Sequence, residues 1–345
     1  MQAALEQWVH GRWSARGLVP CLLSPLSLIY LAVSRYRASR IKPERLPVPV
    51  VVVGNIYVGG TGKTPVTIQL VRELRHAGFH PGVISRGFGR TAEEIHLVTD
   101  DSDAKDVGDE PLLIAQQAKC PVAVGRRRIL AGRLLLAKHP EVDVIISDDG
   151  LQHLYLERDI ELAVVGARGI GNGWVLPAGP LREPPSRLDS VDAIILNATN
   201  DTIASRTPRY AATSQLGSVT QLATGKVRSI NDLSHRIAEK EAKVLCAAGI
   251  AAPQRFFSML RAHDIEGKSM PLGDHFDFKT NPFASSDAEF IFITGKDAVK
   301  CRQIPEIAQD ERIWVADLEM QLDPFFINNL IERVRQLKDE KSTAR

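Results

Sequence analysis

The chain has 345 residues, 44% hydrophobic and 24% charged, with 25 Gly and 20 Pro, and its length corresponds to about two domains. This excludes a disordered or collagen-like chain and a disulfide-stapled mini-protein. A net charge of +2 and only 6% aromatics exclude the basic stripe and stacking platforms of a nucleic-acid binder.

The first element in chain order is apolar. Leu18 to Val33 carries no charge, and Arg35, Arg37, Arg40, Lys42 and Arg45 follow it. As a helix it would be about 24 Å long, short of the roughly 30 Å hydrocarbon core, and it contains Pro20 and Pro25. Three readings stay open: a helix lying in a membrane interface, a true span, and an ordinary core helix. The positive charge crowded behind the run favours the interfacial one. Arg12 and Arg16 ahead of the run imitate a signal peptide, a reading that the nucleotide site described below opposes. The cysteines, Cys21, Cys120, Cys246 and Cys301, lie far apart and read as small buried hydrophobes of a reducing compartment.

From residue 48, β-branched runs alternate with helical patterns, the mark of βαβ units in a largely parallel sheet. The predicted strands are Val48 to Val53, Gly82 to Ser85, Pro121 to Val124, Val142 to Ser147, Ile160 to Val165 and Asp192 to Leu196. The Thr- and Ser-rich stretch Asn200 to Leu222 reads as a linker with a strand pair inside it. A second αβ pattern follows, ending in an amphipathic helix from Pro324 to about Leu337. The fold class is therefore α/β: a P-loop NTPase-type, mostly parallel domain (41–199), a strand-rich linker (200–228), a smaller α/β lid domain (229–345) and an N-terminal membrane-associated segment (1–40).

The most specific local signal is the strand Val50 to Val53 running into Gly54-Asn55-Ile56-Tyr57-Val58-Gly59-Gly60-Thr61-Gly62-Lys63-Thr64. Glycines at 59, 60 and 62 let backbone amides form an anion nest at a helix N-terminus. Lys63 would reach the β- and γ-phosphates and Thr64 would place its hydroxyl on Mg²⁺. The first glycine of the G-x-x-x-x-G-K-[ST] pattern is replaced by Tyr57. Further on, Val142 to Ser147 ends in Asp148-Asp149-Gly150. A carboxylate at that strand tip sits where a P-loop protein holds Mg²⁺. The two aspartates cannot both face one way, so one would hold metal and the other organise the turn. The guanine-selecting Asn-Lys-x-Asp pattern is absent, which leaves ATP as the nucleotide.

Several segments together resemble the tetraacyldisaccharide 4'-kinase family of lipid A synthesis. They are Gly54-Asn55 with Val58 to Pro65, Ser85 to Arg90, Gly108-Asp109-Glu110-Pro111, Asp148 to His153 and Leu176 to Glu183. In the second half they are Ala248 to Ala251, Asp274-His275-Phe276 and Lys296 to Lys300. The family pattern carries an acidic residue before Lys296, where this chain has Gly295. The resemblance implies transfer of the ATP γ-phosphoryl group to the 4'-hydroxyl of a tetraacylated glucosamine disaccharide 1-phosphate. It places the enzyme on the cytoplasmic face of the inner membrane, with the membrane surface and the acylated lipid as partners and no obligate protein partner. The rival reading is a peripheral membrane P-loop ATPase acting as a switch for a protein.

By sequence alone Asp109 reads as a helix cap ahead of Pro111; the resemblance implies a catalytic carboxylate there, with His275 as its partner from the second domain. Lys63, Asp149 and Arg182 complete the catalytic set, Arg182 placing a guanidinium on the moving phosphate. Val58, Gly59, Gly60, Thr61, Gly62, Lys63 and Thr64 would bind ATP, and Thr64, Asp148 and Asp149 would bind Mg²⁺. Arg86, Glu110 and Gln152 are the candidate acceptor contacts. Arg126, Arg127, Arg128 and Arg133 read either as a solvated helix face or as contacts to the acceptor's phosphate, and His153 reads as structural.

Overall fold

The computed structural model describes residues 16–343 except 92, 100, 200–202 and 275, together with residues 11 and 13. The first half comprises α1 (Leu18–Arg40), β1 (Val50–Gly54), α2 (Lys63–His76), β2 (Pro81–Ser85), β3 (His96–Val98), α3 (Asp109–Ala118), β4 (Val122–Val124), α4 (Arg128–Lys138), β5 (Val144–Asp148), β6 (Ile160–Val165) and β7 (Ala193–Asn197). The second half comprises β8 (Arg209–Gln221), β9 (Val227–Ser229), α5 (Ile230–Lys240), β10 (Val244–Ala248), α6 (Pro253–Arg261), β11 (Lys268–Pro271), β12 (Phe290–Thr294), α7 (Gly295–Cys301), β13 (Ile313–Leu322) and α8 (Pro324–Thr343).

Every residue of β1, β2 and β5 is buried, as expected of β-branched runs covered by helices on both faces. Alternation sends Val51 and Val53 to the layer holding Leu70 and Val71 of α2, while Val50 and Val52 face Ile129 and Leu135 of α4. Both layers are built of buried apolar side chains, which fixes the strand ends above them.

The described strands form one sheet in the order β11-β10-β12-β13-β8-β7-β6-β1-β5-β2-β4-β3, with β9 on β8. The P-loop half is parallel apart from β3, and β10, β11, β12 and β13 form a second parallel group. Chain order reverses across β1, because β2 lies beyond β5 on one side and β6 lies on the other. This places a crevice at the carboxyl ends of β1 and β5.

Three expectations are corrected. The segment read as a linker with a strand pair contains β8, one strand of 13 residues that pairs parallel with β7 and antiparallel with β13. It therefore welds the two halves into one sheet. The final helix, expected in the lid domain, packs Phe326, Leu330 and Val334 into the core of the first half beside α2, and Lys341 there ion-pairs with Asp159 at 2.7 Å. The apolar N-terminal run is also longer than its uncharged stretch, since the basic tail continues the helix to Arg40. Pro25 lies inside α1 and cannot donate to Cys21 O; the Ser24 hydroxyl donates to that carbonyl instead, at 2.8 Å.

Candidate active site

The turn after β1 is built for an anion. Gly62 caps α2 at φ +91° and Gly59 lies at φ +101°, backbone that side-chain-bearing residues rarely adopt. Among the described residues α2 has no side-chain cap, so its first amides are open. Asn55 Nδ2 donates to Gly59 O (3.2 Å) and Thr61 Oγ1 (3.1 Å), and Asn197 Nδ2 at the tip of β7 donates to Thr61 O (2.9 Å). A Cβ on Gly62 would collide with that Asn197 amide. Lys63 and Thr64 are almost fully buried at the head of α2, while Gly59 and Gly60 are exposed. Tyr57, at the missing first glycine, is turned into the protein with the Arg168 guanidinium 4.9 Å over its ring. Val58 N donates to Pro180 O (2.9 Å).

The end of β5 separates the two aspartates, because Asp148 is the last strand residue and Asp149 begins the turn. Asp148 is buried and accepts from Thr67 Oγ1 (3.2 Å) and Ser85 Oγ (3.3 Å). Burial, then the charges of Glu110 and Asp149, push its carboxyl up to about 7 against Lys63 and Arg128. Asp149 takes a left-handed backbone (φ +47°) and turns to the phosphate loop. Lys63 Nζ lies 3.4 Å from its Oδ1, and Arg182 Nη1 donates to both carboxylate oxygens at 3.2 Å. Burial acts to raise Asp149, but Lys63 and Arg182 outweigh it and hold the group below the usual carboxylate range.

Gln152 and Arg128 hold this constellation in place. Arg182 Nη1 donates to Gln152 Oε1 (3.2 Å), and Gln152 Nε2 donates to Asn55 O (2.9 Å) and Glu183 Oε1 (2.7 Å). Arg128 is buried, separate from the exposed arginines around it, and Nη2 donates to the carbonyls of Asp148 (3.0 Å) and Asp149 (2.8 Å). Desolvation pushes its guanidinium down to about 10. His153 accepts from Arg128 N (3.4 Å), and burial with nearby arginines pushes it down to about 4. Arg126, Arg127 and Arg133 pair with Glu93 or Glu44 at the surface, which matches the solvated-face reading.

Asp109 and Glu110 open α3 and face the second half. Gly108 occupies the cap position at φ +93°, so Asp109 is the first helical residue and not the cap itself. Lys300 Nζ lies 2.8 Å from Asp109 Oδ2, and Lys296 Nζ lies 3.6 Å from both Glu110 Oε1 and Asp274 Oδ1. These pairs tie α3 to α7. His275 lies outside the described residues. Arg86 is exposed just beyond β2, close enough for its charge to depress His153. Lys63, Asp149, Gln152 and Arg182 are thus joined at the end of β5, with Thr64 next to Lys63 at the head of α2 and Asp148 buried beside them within electrostatic reach of Lys63 and Glu110.

A family model described as tetraacyldisaccharide-1-P 4'-kinase matches residues 19–335. The chain belongs to the tetraacyldisaccharide-1-P 4'-kinase family. It is 46% identical over 348 residues to the tetraacyldisaccharide 4'-kinase of Herminiimonas arsenicoxydans, covering 97% of each chain. It is 49% identical over 339 residues to that of Janthinobacterium sp. (strain Marseille), covering 96% of each. The crystal structure of LpxK from Aquifex aeolicus in complex with ATP matches with a TM-score of 0.77 at 25% identity, over 93% of this chain and 99% of that one.

At Gly295, where the resemblance implies an acidic residue, the surroundings of this 4'-kinase family member leave no room for a side chain. A Cβ there would collide with Asp317 Oδ1, and Gln117 Nε2 donates to the same oxygen at 2.6 Å. Asp317 sits at the bulge of β13 between Ala316 and Leu318, so the space beside Gly295 at the head of α7 is filled by a carboxylate from that strand. Asn197 and Arg255 also serve the site, although no sequence motif marks them. Arg255 Nη2 on α6 donates to Asn197 Oδ1 (3.1 Å) and Ser214 Oγ (2.9 Å), extending the support of Thr61 into the second half. The available signal was an asparagine at the carboxyl tip of a buried parallel strand.

Proposed function

We propose that this chain transfers the γ-phosphoryl group of ATP to the 4'-hydroxyl of a tetraacylated glucosamine disaccharide 1-phosphate. The observation that carries the reading is the convergence of Lys63, Asp149 and Arg182 at the open end of an anion-binding loop, in a member of a family whose relatives carry the kinase name over nearly their full length. Residues 58–64 would hold the triphosphate through backbone amides, with Lys63 leaving Asp149 for the β- and γ-oxygens.

Mg²⁺ fits the donors present. Thr64, Asp148 and Asp149 offer hard oxygens beside the loop, and the carboxyl of Asp148 is raised by its burial and then by the charges of Glu110 and Asp149. Among the described residues no three acidic, His or Cys side chains are gathered into a cage, and Mg²⁺ is ordinarily shared between one or two carboxylates and substrate phosphates. When bound, it would neutralise charge on the phosphate oxygens.

Asp109, which Lys300 holds at 2.8 Å, would accept the proton of the acceptor hydroxyl as its oxygen bonds to the γ-phosphorus and ADP leaves, with His275 the partner that the family resemblance implies. Arg182 would stabilise charge on the transferring group, with Gln152 orienting it. Arg86 and Glu110 would contact the acceptor. The ion pairs from α3 to α7 bring the second half against the crevice, where it would cover both substrates. α1 turns Leu18, Leu22, Leu28 and Ile29 to solvent and, by length and composition only, could cross a membrane. At about 34 Å for its 23 residues, it supports anchoring at the cytoplasmic face of the inner membrane, where an acylated acceptor resides.

The test is acceptor dependence. Purified protein with ATP and Mg²⁺ should consume little ATP until the amphiphilic disaccharide is supplied, and Lys63→Ala should abolish the stimulated rate. Steady hydrolysis with vesicles alone, unchanged by the acceptor, would assign the chain to the switch ATPases instead.

A further inference from the structure

α1 buries only Pro20 and Ser27, yet it makes specific polar contacts with the protein body. A helix that served solely as a greasy anchor would need none. Ser27 Oγ donates to Val175 O (2.9 Å) and accepts from Ala178 N (3.1 Å). One turn on, the Tyr30 hydroxyl donates to the backbone carbonyl of Arg182 at 2.9 Å. The amide of the same residue, Arg182 N, donates to Ile56 O at 2.7 Å.

Arg182 is thereby clamped on both sides of its Cα, by the approach to the phosphate loop on one side and by α1 on the other. From that clamped backbone its guanidinium reaches Asp149 and Gln152. The rest of the segment follows the same path, with Leu181 bridged to Tyr57 and Pro180 O bound by Val58 N. Residues 175–182 therefore form a layer between the apolar helix and the phosphate loop.

We propose that Tyr30 is a positioning residue for Arg182, so that the seating of α1 on the body sets the geometry of phosphoryl transfer. The inference rests on the kinase reading above. Membrane attachment and turnover are then linked through one hydrogen bond: the surface that holds the helix also holds the peptide from which the arginine is aimed.

The experiment compares full-length wild type, Tyr30→Phe, Ser27→Ala, Arg182→Ala and the Tyr30→Phe/Arg182→Ala double variant, with ATP, Mg²⁺ and the tetraacyl disaccharide 1-phosphate in detergent micelles. Tyr30→Phe removes one hydroxyl and should lower kcat about three- to tenfold. Its KM for ATP and its partition onto phospholipid vesicles should stay at wild-type values. Ser27→Ala, which loosens the helix without touching Arg182, should lose less. The double variant should be no slower than Arg182→Ala alone, because the effect passes through that side chain. Wild-type kcat in Tyr30→Phe, an additive double variant, or equal losses from Ser27→Ala and Tyr30→Phe would each overturn the proposal. Hydrogen exchange across residues 175–183 reads the clamp without the acceptor and should quicken in Tyr30→Phe; unchanged exchange overturns the proposal. A wild-type protein that never phosphorylates the acceptor sinks the kinase reading, and the exchange result then decides Tyr30 by itself.

Discussion

Replacing Gly62 by alanine tests the phosphate loop through two separable costs. The backbone there lies at φ +91°, and holding a side-chain-bearing residue in that region costs about 1–3 kcal/mol. The new Cβ would also land on the Asn197 amide. Displacing that amide breaks the 2.9 Å bond to Thr61 O and strands a buried polar group, worth a further ~1–3 kcal/mol. Local relaxation returns part of this, leaving about 2–4 kcal/mol against the nucleotide-ready loop. At 1.36 kcal/mol per decade, ATP affinity should fall on the order of thirtyfold to a thousandfold. Titration calorimetry of ATP and Mg²⁺ into the full-length protein measures it. Gly60→Ala is the control: φ is outside the left-handed region and the nearest atom to its Cβ is Ala251 Cβ at 3.9 Å, so affinity should change by less than about threefold. Wild-type affinity in Gly62→Ala, or an equal loss in Gly60→Ala, would refute this account of the loop.

Asp109→Ala should lower kcat by about a hundredfold or more while ATP affinity changes little; calorimetry beside steady-state kinetics checks the split, and equal losses would make Asp109 structural. Asp148→Asn should abolish turnover yet raise the unfolding temperature of the metal-free protein by a few degrees at pH 8 and not at pH 4. The sign follows from a carboxyl pushed up to about 7: folding favours its protonated form, so its contribution to stability is present below about pH 4 and lost as pH rises through 7. Thermal scans at the two pH values, without metal, read the difference. Gly295→Glu should destabilise the fold, because Asp317 and Gln117 occupy the space. Adding Asp317→Gly should recover most of the loss, as chemical denaturation of both variants would report.

Local pattern carried the parallel strands and the loop. Val50 to Val53 are β-branched and fully buried, and the glycines at 59 and 62 adopt the positive φ that their identity permits. That Asp148 and Asp149 would diverge was legible from alternation, but the structure separates them by ending β5 at Asp148 and turning Asp149 into left-handed backbone. What escaped depended on tertiary contact. The burial pattern of β8 alternates irregularly between exposed and buried positions, because it pairs with both halves of the sheet, so its composition resembles a linker. Ser27 and Tyr30 look like ordinary polar interruptions of an apolar run until residues about 150 positions away are brought beside them. Arg128 sits among exposed arginines in sequence, and only the fold distinguishes it as the one buried against the turn after β5. The carboxylate beside Gly295 comes from β13, and no local window could connect positions 295 and 317.

The most direct measurement is mass spectrometry of the lipid acceptor after incubation with the purified full-length chain, ATP and Mg²⁺. The account predicts an acceptor heavier by one phosphate group, its label drawn from the γ-position of ATP, and no such product from Lys63→Ala. An unmodified acceptor accompanied by free phosphate would contradict it.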